Sequence, residues 1–139
     1  MSVGASMLIV EDDPDDLALL KRAFSKAAVE ASYQVAVDGD AAITALEEAV
    51  SEGSRPKVVL LDLKLPRRSG FEVLQWMRSH PLLRRVPVVI LTSSDTNSDL
   101  SRAYDLGANS YLVKPVIPAS LTTMVAQIDN YWLRLNAVA

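Results

Sequence analysis

The sequence predicts an α/β fold, a parallel five-stranded sheet with helices on both faces. Three observations predict it. Short apolar runs alternate five times with longer amphipathic stretches. Most of the runs are rich in Val, Ile and Leu and apolar throughout, as strands covered on both faces require. Each intervening stretch repeats apolar residues every three or four positions, which makes one buried stripe on a helix. A helix between successive strands supplies the crossover that parallel pairing needs. At 139 residues the chain suits one domain, 1–139, with a core of about 7–133.

The elements follow in order. The first run, 7–10, stops at Glu11-Asp12-Asp13. Asp13-Pro14 reads as an N-cap followed by proline at the first helical position, and Leu17, Leu20, Phe24 and Ala27 form the stripe. Asp15 and Asp16 read as first-turn acids favoured by the helix dipole. The second run, 33–37, is interrupted by Gln34 and is assigned to a sheet edge. Asp38-Gly39 marks a turn, Ala42, Ile43, Leu46 and Val50 give the next stripe, and Gly53 and Pro56 close it. The third run, 58–61, leads straight into Asp62. Beyond Ser69-Gly70, a helix carries Phe71, Leu74 and Met77 and ends before Pro81. The fourth run, 88–91, leads into Thr92-Ser93-Ser94, and a polar stretch, 97–106, stops at Gly107. The fifth run, 111–113, precedes Lys114-Pro115. The last helix begins near Pro118 and carries Leu121, Met124, Val125, Ile128 and Trp132.

Composition narrows the function classes. Half the residues are hydrophobic and the net charge is −3, so a core is available and nothing global points to nucleic acid. The one compact basic cluster, Arg84-Arg85, reads as a solvated loop pair. Cysteine is absent, which excludes disulfides and thiolate metal sites and suits a reducing cytoplasm. The first six residues have no basic region, and the apolar run after them ends in carboxylates, so neither a signal peptide nor a membrane span is expected.

In parallel α/β sheets, ligands collect where strands end in loops. Three adjacent carboxylates after the first strand repel one another unless something positive lies among them. Oxygen-rich clusters suit hard cations such as magnesium, while helix-start capping is the plainer reading. Asp62 meets this cluster if the first and third strands are neighbours, as a metal ligand, a nucleophile, or both. A hydroxyl of Thr92-Ser93-Ser94 is offered to a phosphoryl oxygen or merely caps the next helix. Lys114, read as lying between a buried Val113 and a proline, is placed to neutralise a phosphoryl group or is simply solvated. A cis Lys114–Pro115 bond is one way to aim it inward. Acids after the first strand, Asp after the third, Thr after the fourth and Lys after the fifth form one inward-facing set.

These residues resemble the receiver domain of two-component response regulators. The matching pieces are Leu8-Ile9-Val10-Glu11-Asp12-Asp13, Leu61-Asp62-Leu63 with Leu65-Pro66 and Ser69-Gly70, Ile90-Leu91-Thr92-Ser93, and Gly107-Ala108 followed by Tyr111-Leu112-Val113-Lys114-Pro115. The resemblance implies a flavodoxin-like (βα)5 three-layer sandwich with Mg2+ as cofactor. It implies Glu11 and Asp12 as the acidic pair at the metal, with Asp12 the direct ligand. Asp62 would be the phosphoacceptor, and Lys64 would offer its backbone carbonyl to the metal. Thr92 and Lys114 would contact the phosphoryl oxygens, and Tyr111 would change rotamer with Thr92 on activation. Asp13 is left to cap the first helix. The donor would be a phosphohistidine of a sensor histidine kinase. His80, the only histidine, is expected at the surface, not in a relay.

No DNA-binding module, catalytic domain or basic stripe is recognisable, so output is expected through protein contact or phosphorelay on the face of the fourth helix, fifth strand and fifth helix. The expected downstream partner is a protein target or a phosphotransfer protein. Tyr131 beside Trp132 falls off the apolar stripe, which points to a patch for a homodimer through the carboxyl-terminal face, or for a partner. Asn109 to Pro115 and Tyr131-Trp132-Leu133 also look like single-domain regulators of phytochrome kinases. A haloacid dehalogenase-type phosphatase would need an acid where Lys64 stands. A flavin carrier would need a phosphate loop where Glu11-Asp12-Asp13 repels one. A degenerate receiver, binding partners without phosphorylation, would lack one of the acids or the lysine.

Overall fold

The computed structural model describes residues 5–139. The first residues, 1–4, on which part of the reading of the amino terminus rests, lie outside the described residues. The strands are β1 (Met7–Val10), β2 (Tyr33–Ala36), β3 (Val58–Leu61), β4 (Val88–Thr92) and β5 (Ser110–Val113). The helices are α1 (Pro14–Lys26), α2 (Gly39–Glu52), α3 (Gly70–Ser79), α4 (Asn97–Asp105) and α5 (Pro118–Ile128). The strands pair in parallel in the order β2-β1-β3-β4-β5, the flavodoxin-like arrangement.

Strand alternation builds two cores. Leu8, Val10, Val59, Leu61, Val88 and Ile90 face α2, α3 and α4 through Ala42, Leu46, Leu74, Met77 and Ala103. Met7, Ile9, Val58, Leu60, Val89 and Leu91 face α1 and α5 through Leu20, Phe24, Leu121, Val125 and Ile128. Each residue on β1 and β3, and on β4 before Thr92, therefore serves one core or the other, which is why those stretches read as unbroken apolar runs. Burying each such Leu, Ile or Val contributes roughly 1.5–3 kcal/mol.

Caps set where the helices begin. The Asp13 carboxylate accepts from the Asp15 N–H at 2.8 Å and the Asp16 N–H at 3.2 Å, with Pro14 in the first turn. Asp38, Ser69 and Thr96 cap α2, α3 and α4 in the same way. Gly53 ends α2 at φ 69°, a left-handed conformation that suits glycine.

Three expectations are corrected. Val113 is 43% exposed, not buried. β5 is an edge strand like β2, and Val113 is its last residue, so one of its flanks lacks a neighbour. The last helix is not α-helical to Trp132, because residues Asp129–Leu135 wind as a π-helix. The wider turn buries Asp129 and Leu133, leaves Trp132 half-buried against the core and Tyr131 49% exposed. The peptide bond between Lys114 and Pro115 is trans. Lys114 is instead held by its own N–H, which donates to the Thr92 carbonyl at 2.7 Å.

At the opposite rim, the half-buried Arg78 on α3 donates to the carbonyls of Gly107, Arg84 and Val86 and to Asn109 Oδ1. Asn109 Oδ1 also accepts from the Val88 N–H at 2.8 Å. Asn109 thereby joins the starts of β4 and β5. Arg84 and Arg85 are exposed in the turn after α3, and His80 caps that helix.

Candidate functional site at the carboxyl ends of the strands

Because all five strands run the same way, their last residues share one rim. β1 and β3 are neighbours, in register from Met7 with Val58 to Val10 with Leu61. The Asp62 N–H continues the ladder to the Val10 carbonyl at 3.1 Å, which sets Asp62 beside the acids that follow β1. Gly70 presses the start of α3 against this segment. Its N–H donates to the Leu63 carbonyl at 2.9 Å, and a Cβ on Gly70 would collide with the Asp62 carbonyl oxygen. Only glycine allows that approach.

Glu11 and Asp62 are 4% and 7% exposed, deep for carboxylates. Lys114 reaches both. Its ammonium donates to Glu11 in a short contact, to Asp62 Oδ2 at 2.9 Å and to Asp16 Oδ2 at 2.9 Å. The other oxygen of Asp62 lies 3.4 Å from the Lys64 N–H. Glu11, Asp12 and Asp62 bring one carboxylate oxygen each to within 4.8 Å of one another, with Asp12 on the solvent side.

Charge is unbalanced here: the Lys114 ammonium meets Glu11, Asp16 and Asp62, and Asp12 adds another carboxylate beside Glu11 and Asp62. Burial pushes the Glu11 carboxyl up to about 7; Asp62 adds to the rise, and the hydrogen bond from Lys114 opposes it. Burial works against the Lys114 charge, but its bonds to Glu11, Asp62 and Asp16 outweigh burial and raise its pKa. An all-oxygen donor set with surplus negative charge, open on one side, fits a hard divalent cation.

Thr92 ends β4 fully buried at the same rim. Its Oγ1 accepts from the Ser94 N–H at 3.4 Å rather than bonding Asp62. The Tyr111 ring packs partly buried against the core, and its hydroxyl donates to the Ser94 carbonyl at 2.9 Å. Ser94 Oγ donates to Asp99 Oδ2 on α4 at 2.6 Å. One loop residue thus ties Thr92, Tyr111 and α4 together.

Asp16 and Ser94 are the two residues that sequence reasoning undervalued. By position Asp16 is a helix-dipole acid, yet its carboxylate crosses the rim to Lys114. Ser94 was read within a run of possible helix caps, whereas Thr96 takes that task. Their shared signal is a surplus of polar groups beyond what one cap uses. Asp13 acts as assigned, capping α1.

Among the described residues, no helix is long and apolar enough to cross a membrane. Residues 7–126 match the model of the response regulator receiver domain. The chain is 40% identical over 131 residues to the probable methanogenesis regulatory protein FilR2 of Methanothrix harundinacea, covering 94% of this chain and 84% of that protein. It is 35% identical over 129 residues to response regulator Rcp1 of Synechocystis sp., covering 91% and 88%. The crystal structure of the Mn2+-bound form of Rcp1 superposes with a TM-score of 0.83 over 97% of this chain and 99% of that one. The crystal structure of the phosphorylated cyanobacterial phytochrome response regulator RcpA superposes at 0.87, with 33% identity over 98% of this chain and 99% of that chain. Topology, motif and likeness agree, and the chain belongs to the response regulator receiver domain family.

Proposed function

We propose that this chain is the phosphoacceptor of a two-component histidine kinase pathway, with Asp62 taking the phosphoryl group from a kinase phosphohistidine. The observation that carries the reading is the Lys114 ammonium held between the buried carboxylates of Asp62 and Glu11. A buried cation beside a strand-end carboxylate is the arrangement that stabilises charge on a transferring phosphoryl group.

Glu11, Asp12, Asp62 and the Lys64 backbone carbonyl would hold Mg2+, which when bound offsets the repulsion between a carboxylate nucleophile and phosphoryl oxygens. An Asp62 oxygen attacks phosphorus, the bond to the histidine nitrogen breaks, and the imidazole leaves with the electron pair. Lys114 exchanges its Asp62 contact for a phosphoryl oxygen, and Thr92 donates its hydroxyl to another. Movement of Thr92 toward the phosphoryl group draws its Oγ1 away from the Ser94 N–H, which loosens a loop already bonded to Tyr111 and to Asp99 on α4. The local charge change then reaches the α4–β5–α5 face, where Tyr104 and Val113 are exposed.

The receiver domain signals by protein contact or phosphorelay. The likeness to RcpA supports a phytochrome-type kinase upstream. Exposed Tyr131 and Leu135 support a homodimer through the carboxyl-terminal face. The absence of cysteine suits the cytoplasm. Asp62→Asn is expected to abolish incorporation of label from a cognate kinase while leaving the folded circular dichroism spectrum unchanged; labelling of that variant at wild-type level sinks the assignment. Lys114→Ala is expected to allow slow phosphorylation without the surface change, and normal activation would remove Lys114 from the mechanism.

A further inference from the structure

Lys114 divides its donors among Glu11, Asp62 and Asp16. Glu11 and Asp62 belong to the carboxylate trio suited to a cation, whereas Asp16 lies outside it. Asp16 is also free of the task its position suggests. Three residues after the N-cap, an acidic side chain commonly turns back to the N-cap N–H. Here the Asp13 N–H donates to Glu11 Oε2 at 3.2 Å instead, and Asp16 turns across the rim to Lys114 at 2.9 Å.

We propose that Asp16 is the positioning residue for Lys114, keeping the ammonium over Asp62 once Glu11 and Asp62 turn their oxygens to a divalent cation. The inference rests on the phosphoacceptor reading and deepens it. A cation held by Glu11 and Asp62 repels Lys114 and competes for its acceptors, so a lysine tied only to those two is driven toward solvent. Asp16 keeps its own contact. Its side chain is 38% exposed, so its charge stays hydrated while it holds the lysine.

The test uses the full chain, acetyl phosphate as donor and Mg2+ as the metal. An Asp62 oxygen bonds phosphorus, the bond from phosphorus to the acetyl oxygen breaks, and acetate leaves. Limiting rates at saturating donor and Mg2+ are read by intact mass, and Mg2+ affinity by calorimetry. Asp16→Ala is expected to lower the limiting rate about two- to fivefold, the loss of one partly exposed charged contact. Asp16→Asn, neutral but still able to accept from Lys114, is expected to fall between. Asp15→Ala, which removes a charge from the same helix turn, is expected to match wild type. The Mg2+ Kd is expected to stay within about threefold across the set, because Asp16 is not among the cation's donors.

Equal rates for Asp16→Ala and Asp15→Ala overturn the inference, and so does an unchanged limiting rate with a weakened Mg2+ Kd, which would make Asp16 a metal ligand. If wild type takes no phosphoryl group on Asp62, the phosphoacceptor reading falls as well. Labelled wild type with an unslowed Asp16→Ala overturns this inference alone.

Discussion

Replacing Lys114 by Ala removes the ammonium that, among the described residues, is bonded to this cluster, and the structure indicates how much that costs. The Lys114 side chain is 15% exposed and those of Glu11 and Asp62 are 5% and 9% exposed. Breaking a buried ion pair from one side costs about 3–5 kcal/mol, because the partner charge stays buried. The Asp16 contact, with 38% of that side chain exposed, adds little after solvent screening. In EDTA the variant is therefore expected to lose about 3–5 kcal/mol, read as a shift in urea midpoint at constant slope. Mg2+ is expected to narrow that gap. Lys114 competes with a cation for Glu11 and Asp62, so its removal tightens metal binding, and each tenfold gain in affinity narrows the gap by about 1.4 kcal/mol. An equal deficit in EDTA and in saturating Mg2+, with an unchanged Mg2+ Kd, would refute the claim that lysine and cation share acceptors.

Three further outcomes follow from the same geometry. Gly70→Ala drives a Cβ into the Asp62 carbonyl, so α3 must shift; a loss of about 1–3 kcal/mol is expected with a fall in phosphorylation rate, and wild-type values for both would refute the close approach. Ser94→Ala removes a hydrogen bond to a carboxylate and is expected to cost about 1–2 kcal/mol, with faster amide exchange in α4 but little change in the rate of Asp62 phosphorylation. In metal-free protein, Glu11 titrates near 7 when folded against an ordinary value of 4.5. The folded state then binds more protons than the unfolded one between those values, so stability rises as pH falls through that window. Urea midpoints in EDTA at pH 8 and pH 6 check the sign, and Glu11→Gln is expected to flatten the dependence.

Much of this arrangement is legible in residue order. Strands buried on both faces must be apolar at every position, so β1, β3 and β4 stand out, and parallel pairing gathers the residues after them at one rim. The expected convergence of Glu11, Asp12, Asp62 and Lys114 needs only that topology. β5 shows where the logic fails: Tyr111-Leu112-Val113 looks like a central strand, but exposure of Val113 depends on its place at the sheet edge. Local winding is equally hidden. Nothing in Asp129-Asn130-Tyr131-Trp132 announces a wide turn, which rotates Leu133 into the core. The role of Asp16 is hidden because a first-turn acid has two uses, and the choice depends on Glu11 having already taken the Asp13 N–H. The bond from the Tyr111 hydroxyl to the Ser94 carbonyl is hidden too, since it depends on a loop shape that residue types do not specify.

The central claim is that one carboxylate at the sheet rim takes a phosphoryl group with a divalent cation beside it. Treatment with acetyl phosphate and Mg2+, followed by peptide mass mapping under acidic conditions, tests it most directly. The predicted result is a single added phosphoryl group on the peptide containing Asp62, absent in EDTA. Unmodified protein under both conditions, or a phosphoryl group on any other residue, would contradict it.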